Sequence, residues 1–351
     1  MEAAPAAAPL PPAGAVGDFA REGPLYARLR DPPPPEEWAH HGAALLRKLS
    51  EPELAAALPA DLPTSLAVRV YHLYLPIYFW MRALVGDIHT SRQSADGAAA
   101  TGGATVVGLS APQGCGKTTL VELLVDRFAA DGLRCASVSI DDFYLTGADQ
   151  DGVAQGNPEN ALLQVRGNAG THDLSLGEAT LRGLRDPSSA HVAVPSYDKA
   201  ARSGRGDRAP ASKWREEQTP LDVVLFEGWM AGFKPRQDEA ALRKIHQGLP
   251  SIDSRLGAYQ AWDDLVDGWC VLALTDRKHV FDWRLQAEHA MAAAGRPGMD
   301  DDAVRDFVAR YMPAYEAYCP SLYAAAAAAG VDGKPSMLVH VDGKRSPVAQ
   351  P

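Results

Sequence analysis

Residues 104–120 read ATVVGLSAPQGCGKTTL, an apolar β-branched run that passes through closely spaced glycines into a helical pattern. Within it, Ala111 to Thr118 fits A/G-x-x-x-x-G-K-S/T, with Ala where the strict phosphate-binding loop has Gly. The flanks supply what the motif needs. A strand over Val106 to Ser110 leads in, and a helix from Thr119 to Ala129 leads out. Loop N–H groups and the positive end of that helix then converge on phosphate oxygens. Gln113, Gly114, Cys115, Gly116, Lys117, Thr118 and Thr119 are the expected nucleotide contacts, with Lys117 bridging the β- and γ-phosphates and the Thr118 hydroxyl on Mg²⁺. The alternative is a glycine-rich strand-to-helix turn with an exposed lysine. Cys115 fits the loop by its small size; a redox-sensitive thiol beside the phosphates is the other reading.

Working outward, apolar runs recur. CASVSIDDF, HVAVPSY, LDVVLFEG, GWCVLALT and SMLVHVD read as strands, and helical stretches, one near 173–185, separate most of them. That alternation predicts an α/β fold of the P-loop NTPase type, a mainly parallel sheet with helices on both faces. Upstream, DPPPPEEW at 31–38 starts a helical region, with breaks near Pro59–Pro63. There RVYHLYLPIYFWMRALV reads as one apolar helix kinked or broken at Pro76. The expected organisation is a disordered tail over 1–15, a helical N-terminal region over 16–90, a small-residue linker over 91–103 and a P-loop domain over 104–351.

Phosphoryl transfer also requires an acid for Mg²⁺ and a base that orients the acceptor. LDVVLFEG ends an apolar strand on Glu227, a Walker-B-like position beside the loop; a carboxylate capping the turn at Gly228 is the bland alternative. SIDDFYLTG puts Asp141 and Asp142 at another strand end. Period-two alternation sends them to opposite faces, so one of them points into the crevice, unless both merely form a turn.

Further candidates lie in two loops. VRGNAGTHDL at 165–174 offers Arg166, His172 and Asp173, although Asp173 also suits the N-cap of the following helix. YDKAARSGRGDR at 197–208 gathers Lys199, Arg202, Arg205 and Arg208 beside glycines, a local anion-binding concentration or a solvated loop. Its embedded Arg-Gly-Asp is a poor case for adhesion. Arg284, on a helix, reads as a lid residue over the nucleotide or as an exposed helix arginine.

Bulk properties bound the partners. At 46% hydrophobic and 22% charged, the 351 residues are globular, and a formal charge of −10 disfavours general binding to nucleic acid or anionic membranes. Four cysteines without metal-ligand spacing read as reduced thiols. No apolar stretch reaches the roughly 18 residues of a membrane span, and the opening MEAAPAAAPLPPAGA lacks the features of a secretory or transit signal.

Taken together, SAPQGCGKTTL, SIDDFYLT, NPENALLQVRGNAGTHDL, VPSYDKAARSGRGDR, VVLFEGWMAGFKP, AWDDLVDGW and FDWRLQAE resemble the plant-type D-glycerate 3-kinases. These are P-loop kinases of the group that includes phosphoribulokinase, uridine kinase and bacterial pantothenate kinase. The resemblance runs from about Val16 to the C-terminus. It implies ATP- and Mg²⁺-dependent phosphorylation of the 3-hydroxyl of D-glycerate, in photorespiration. It also implies Asp141 as the base, within reach of Mg²⁺, and Glu227 near Mg²⁺ and the acceptor. Arg166, His172, Tyr197, Lys199, Arg205 and Arg208 become candidate glycerate contacts, with Asp173 in the same loop. A monomer acting on a small molecule is expected, in the chloroplast by family resemblance or in the cytosol for want of a clear transit peptide. A kinase of the same fold with another hydroxyl acceptor, or a P-loop regulator, are the alternatives.

Overall fold

The computed structural model describes residues 13–49, 66–96, 103–293, 295 and 298–349. The expected tail up to residue 12, the break near Pro59–Pro63 and residues 97–102 of the expected linker lie outside the described residues.

Six strands form the central sheet: β1 (Thr105–Ser110), β2 (Cys135–Ser139), β7 (Val223–Gly228), β8 (Gly268–Leu274), β9 (Ser336–Val341) and β10 (Pro347–Val348). Their order is β10-β9-β8-β1-β7-β2, parallel throughout except for the antiparallel β9–β10 edge pair. Alternation along the strands divides the core in two. Val106, Val224, Phe226, Trp269, Val271, Ala273 and Leu338 face one cluster. Val107, Leu109, Val223, Leu225, Cys270, Leu272, Met337 and Val339 face the other.

That second face is covered by the helix Lys117–Ala130 and by the N-terminal helices, which share its core. Polar ties fix the same contact. Arg82 bridges Glu37 at 2.6 Å and Asp131 at 3.3 Å, Lys48 pairs with Asp126, and Arg69 donates to the Lys344 carbonyl at 2.7 Å.

Three expectations need correction. Residues 66–96 are one continuous helical segment, not broken at Pro76: π-helical turns over Arg69–Tyr74 run into an α-helix over Leu75–Asp96. Pro76 lacks an N–H and its ring crowds the carbonyl four residues back, and the wider turn immediately before it accommodates both. This helix also continues to Asp96, into the stretch read as linker, where Arg92 fastens its last turn to Asp267 at 3.0 Å. Finally, HVAV is a strand as expected but lies outside the main sheet. As β3 (His191–Val194) it pairs antiparallel with β6 (Arg215–Gln218), because only Val194 of its four residues is buried. A second ribbon joins β4 (Tyr197–Asp198) to β5 (Asp207–Arg208).

Candidate active site

Strand β7 lies between β1 and β2, and their registers align Glu227 with Leu109 on one side and Ser139 on the other. The loop after β1, the acids after β2 and Glu227 therefore meet at one carboxyl edge of the sheet, where α/β folds bind ligands.

The phosphate loop is shaped by backbone. Gly114 and Gly116 take φ of +81° and +91°, in the left-handed region, and Gly116 opens the helix Lys117–Ala130 with no side-chain cap on its first N–H groups. A Cβ on Gly114 would stand 2.7 Å from Trp283 Cβ, so only glycine lets that helix pack there. Tyr315 accepts from the Gln113 N–H at 3.0 Å, and Arg345 donates Nε to the Gly114 carbonyl at 2.7 Å while lying over the Trp283 ring. Lys117 Nζ faces Glu227 Oε2 at 3.0 Å. Burial disfavours the Lys117 ammonium, but Glu227 together with Cys115 and Asp141 outweighs it and the net shift is upward, so the lysine is charged. Burial pushes the Cys115 thiol up to about 11, which makes it a poor nucleophile rather than a redox sensor.

The two acids sit differently from the expectation. Strand β2 ends at Ser139, and Ile140–Phe143 forms a 3₁₀ turn, so Asp141 and Asp142 diverge by helical rotation, not by strand alternation. Asp142 closes a capping box: its Oδ2 accepts from Ser139 N at 3.0 Å, and Ser139 Oγ accepts from Asp141 N at 3.2 Å. Burial pushes the Asp142 carboxyl up to about 6. Asp141 instead accepts a 2.6 Å hydrogen bond from Lys199 Nζ. Burial raises its carboxyl too, yet Lys199 and Lys117 prevail and hold it below the ordinary carboxylate range.

The loop 165–174 is laced to the acid turn by backbone: Leu145 N donates to the Thr171 carbonyl at 3.0 Å and Asp173 N to the Phe143 carbonyl at 2.8 Å. This buries His172 against Tyr144, with ring centroids 4.6 Å apart, and brings its Nδ1 to 2.7 Å from the Tyr259 hydroxyl. Burial drives the imidazole down to about 3, so it is neutral. Tyr259 also accepts from Gly170 N at 3.0 Å, so one hydroxyl ties the His172 ring to the loop backbone. Nε2 is buried without a partner among the described residues.

Asp173 caps the helix Leu174–Arg185 through Leu176 N at 3.1 Å and pairs with Arg208 at 3.1 Å. Arg208, 14% exposed, also donates to the Tyr144 carbonyl at 2.9 Å. Arg166 grips the basic loop from beneath, donating to the carbonyls of Gly204 at 3.0 Å and of Arg205, with its guanidinium over the Tyr197 ring. Arg205 and Arg202 both reach Asp151, Arg205 at 2.9 Å. Of the basic loop, then, Lys199 reaches the acid turn directly, while Arg202 and Arg205 fasten the loop to the helix Gly147–Gly156.

Arg284 pairs with buried Glu288 at 2.5 Å and lies over Phe307, so the structure places it in the packing of its own helix, His279–Ala293. Its neighbour Trp283 is the residue against the phosphate loop. Sequence reasoning missed Arg345 and Tyr315 behind that loop and Tyr259 behind His172, none of which belongs to a local motif, and it passed over Trp283 although FDWRLQAE contains it. The Asp142 cap did carry a signal, the S-x-x-D spacing from Ser139.

An ATP-bound Mg²⁺ fits this edge. The buried Glu227 Oε2 lacks an aligned hydrogen-bond partner, and no group of three or more His, Cys, Asp or Glu side chains among the described residues could hold a metal alone. Such a cation takes one or two carboxylates and completes its shell with phosphates and water.

No family model matches the chain. It is 41% identical over 316 residues to the D-glycerate 3-kinase, chloroplastic, of Arabidopsis thaliana, covering 89% of this chain and 67% of that protein. The uncharacterized kinase mug58 of Schizosaccharomyces pombe is 37% identical over 226 residues, 62% of this chain and 82% of its own length. Among solved structures, the D-glycerate 3-kinase from Cryptococcus neoformans superposes with a TM-score of 0.67 at 33% identity, over 78% of this chain and 98% of that one. With its phosphate loop, acid turn and sheet edge so arranged, the chain belongs to the D-glycerate 3-kinase family.

Proposed function

We propose that this protein transfers the γ-phosphoryl group of ATP to the 3-hydroxyl of D-glycerate, giving 3-phospho-D-glycerate and ADP. The observation that carries the reading is the pair of lysine–carboxylate contacts at one sheet edge, Lys117 to Glu227 at 3.0 Å and Lys199 to Asp141 at 2.6 Å. One lysine lies at the phosphate loop and the other beside the acid turn, which suits a reaction that brings two anions together.

In that reaction the loop N–H groups and Lys117 hold the β- and γ-phosphates. Thr118 and Glu227 are the groups that would hold Mg²⁺, whose charge offsets that of the phosphates. The glycerate 3-oxygen forms a bond to the γ-phosphorus as the bond to the β,γ-bridging oxygen breaks, leaving the electron pair on ADP. Asp141, ionised through its lysines, orients the hydroxyl and receives its proton late, as a loose transition state requires. Lys199, beside Asp141, and Arg208, beside Asp173, are the cations assigned to the glycerate carboxylate. Tyr144 packs between His172 and Tyr197 and is 3% exposed, which leaves little face for stacking a nucleoside acceptor.

A coupled ADP-release assay over D-glycerate, L-glycerate, glycolate, glycerol, pantothenate and uridine tests this. D-glycerate should dominate, and Asp141→Asn should abolish the signal; turnover with D-glycerate no higher than with buffer would overturn the substrate. A chloroplast site of action is proposed with it on the Arabidopsis relative, which is named chloroplastic, and a role in photorespiration on the family resemblance. A fluorescent fusion carrying the native N-terminus that remained in the cytosol would contradict that location. No helix among the described residues is long and apolar enough to cross a membrane.

A further inference from the structure

The two acids at the sheet edge are not free for chemistry: each is held by a lysine that a ligand anion would claim. Glu227 is faced by Lys117, and Asp141 accepts from Lys199 at 2.6 Å. The first exchange follows from nucleotide binding, because the phosphates draw Lys117 away from Glu227. The second has no counterpart in the nucleotide.

We propose that Lys199 is a specificity gate: it occupies Asp141 until the carboxylate of the acceptor draws it off, so that only a hydroxy acid frees the base. This rests on the kinase reading above and adds to it a reason why glycerate needs its carboxylate beyond affinity.

Three features support the exchange. Lys199 is 60% exposed against 27% for Asp141, so its ammonium stays in contact with water, and an exposed pair of this kind is weak and readily traded. Its backbone is nonetheless fixed. Arg166 grips the carbonyls of Gly204 and Arg205, Arg202 and Arg205 hold Asp151, and Asp198 accepts from the N–H groups of Ala200 and Ala201 at 2.9 and 3.2 Å. The flexible lysine stem can therefore swing between two anions while its root stays in position. Nearby, Arg208 cannot take this part, because Asp173 and the Tyr144 carbonyl already engage it.

The gate also accounts for restraint. Water is always present at high concentration, and its attack on the γ-phosphorus would form the new P–O bond, break the bond to ADP and pass a proton to Asp141 to release inorganic phosphate. With Lys199 on Asp141, water meets an engaged base. Glycerol, which has the hydroxyls and no carboxylate, meets the same obstacle.

The experiment measures ADP release by the full chain with ATP and Mg²⁺ in three conditions: no acceptor, glycerol, and D-glycerate. Wild type is compared with Lys199→Met and Lys199→Arg. In Lys199→Met, release without acceptor and with glycerol should rise roughly a hundredfold, the low side of what a freed general base contributes. Turnover of D-glycerate in kcat/KM should fall roughly a hundredfold, as for one lost charge-assisted hydrogen bond. Lys199→Arg should keep most of the wild-type selectivity. The proposal is overturned if acceptor-free and glycerol-supported release in Lys199→Met stay level or fall along with glycerate turnover. The acceptor-free arm decides the gate whatever the true acceptor is, and wild-type activity with D-glycerate decides the substrate separately.

Discussion

Around Lys117 the chain is held by backbone: two glycines in the left-handed region, a helix start and three aligned parallel strands fix where a phosphate would lie. Around Lys199 it is held by side chains: Arg166 on carbonyls, Arg202 and Arg205 on Asp151, and Arg208 on Asp173 and Tyr144. The nucleotide side is thus preformed and indifferent to most side-chain identities, whereas the acceptor side depends on particular charged groups. Substitutions should divide along that line.

The largest separation is expected between neighbours. Asp141→Asn should lower kcat/KM roughly 10³-fold, as for loss of a general base. Asp142→Asn should cost no more than about threefold, since an amide oxygen can still cap the turn. Steady-state kinetics of both variants check this, and equal losses would mean that the acid turn has been assigned the wrong face.

Next come two glycines. Gly114→Ala carries a left-handed strain of about 1–2 kcal/mol and drives a methyl into Trp283, so ATP affinity measured calorimetrically should drop more than about tenfold. Gly204→Ala, at φ +87° with open space around its Cβ, bears the backbone strain alone and should leave ATP binding unchanged. A similar loss of ATP affinity in both would remove the contrast between the two sides.

On the acceptor side, Arg208→Ala should cost about 2–3 kcal/mol of stability, because it strips two charge-assisted contacts from a largely buried guanidinium. Arg205→Ala breaks a pair in which the arginine is 51% exposed and should cost less than about 1 kcal/mol. Denaturant midpoints of the two variants measure the difference.

The last effect concerns acid. His172 is held neutral, with its pKa depressed to about 3 from an ordinary 6.5. A depressed histidine contributes stability that is present above the unfolded value and lost as pH falls. Between pH 7 and 5 this one group should remove about 2 kcal/mol. His172→Phe should be less stable at pH 7 and show a shallower decline towards pH 5. An unchanged slope would show that His172 is not the buried neutral group described here.

How much of this was readable from residues depended on whether the determinant was local. The phosphate loop was, because its glycines, its preceding strand and its following helix are contiguous. Glu227 was as well, at the end of an apolar strand. That Asp141 and Asp142 part ways was legible, but the cause was not: the strand stops at Ser139, and a capping box rather than strand alternation separates them. Arg284 was read as a lid residue or an exposed helix arginine, and the i+4 spacing to Glu288 already offered it a partner on its own helix. β6, with the sequence REEQ, carries no apolar pattern and forms only because β3 lies opposite. Arg345 and Tyr315 reach the phosphate loop from more than two hundred residues away in sequence, and only the folded chain brings them there.

The central claim, that the site phosphorylates the 3-hydroxyl of D-glycerate, is tested most directly by the product itself. Purified protein incubated with ATP, Mg²⁺ and D-glycerate should yield 3-phospho-D-glycerate as the single phosphorylated acceptor by phosphorus and proton NMR, and Asp141→Asn should yield none. Formation of the 2-phospho isomer, or of inorganic phosphate alone, would contradict it.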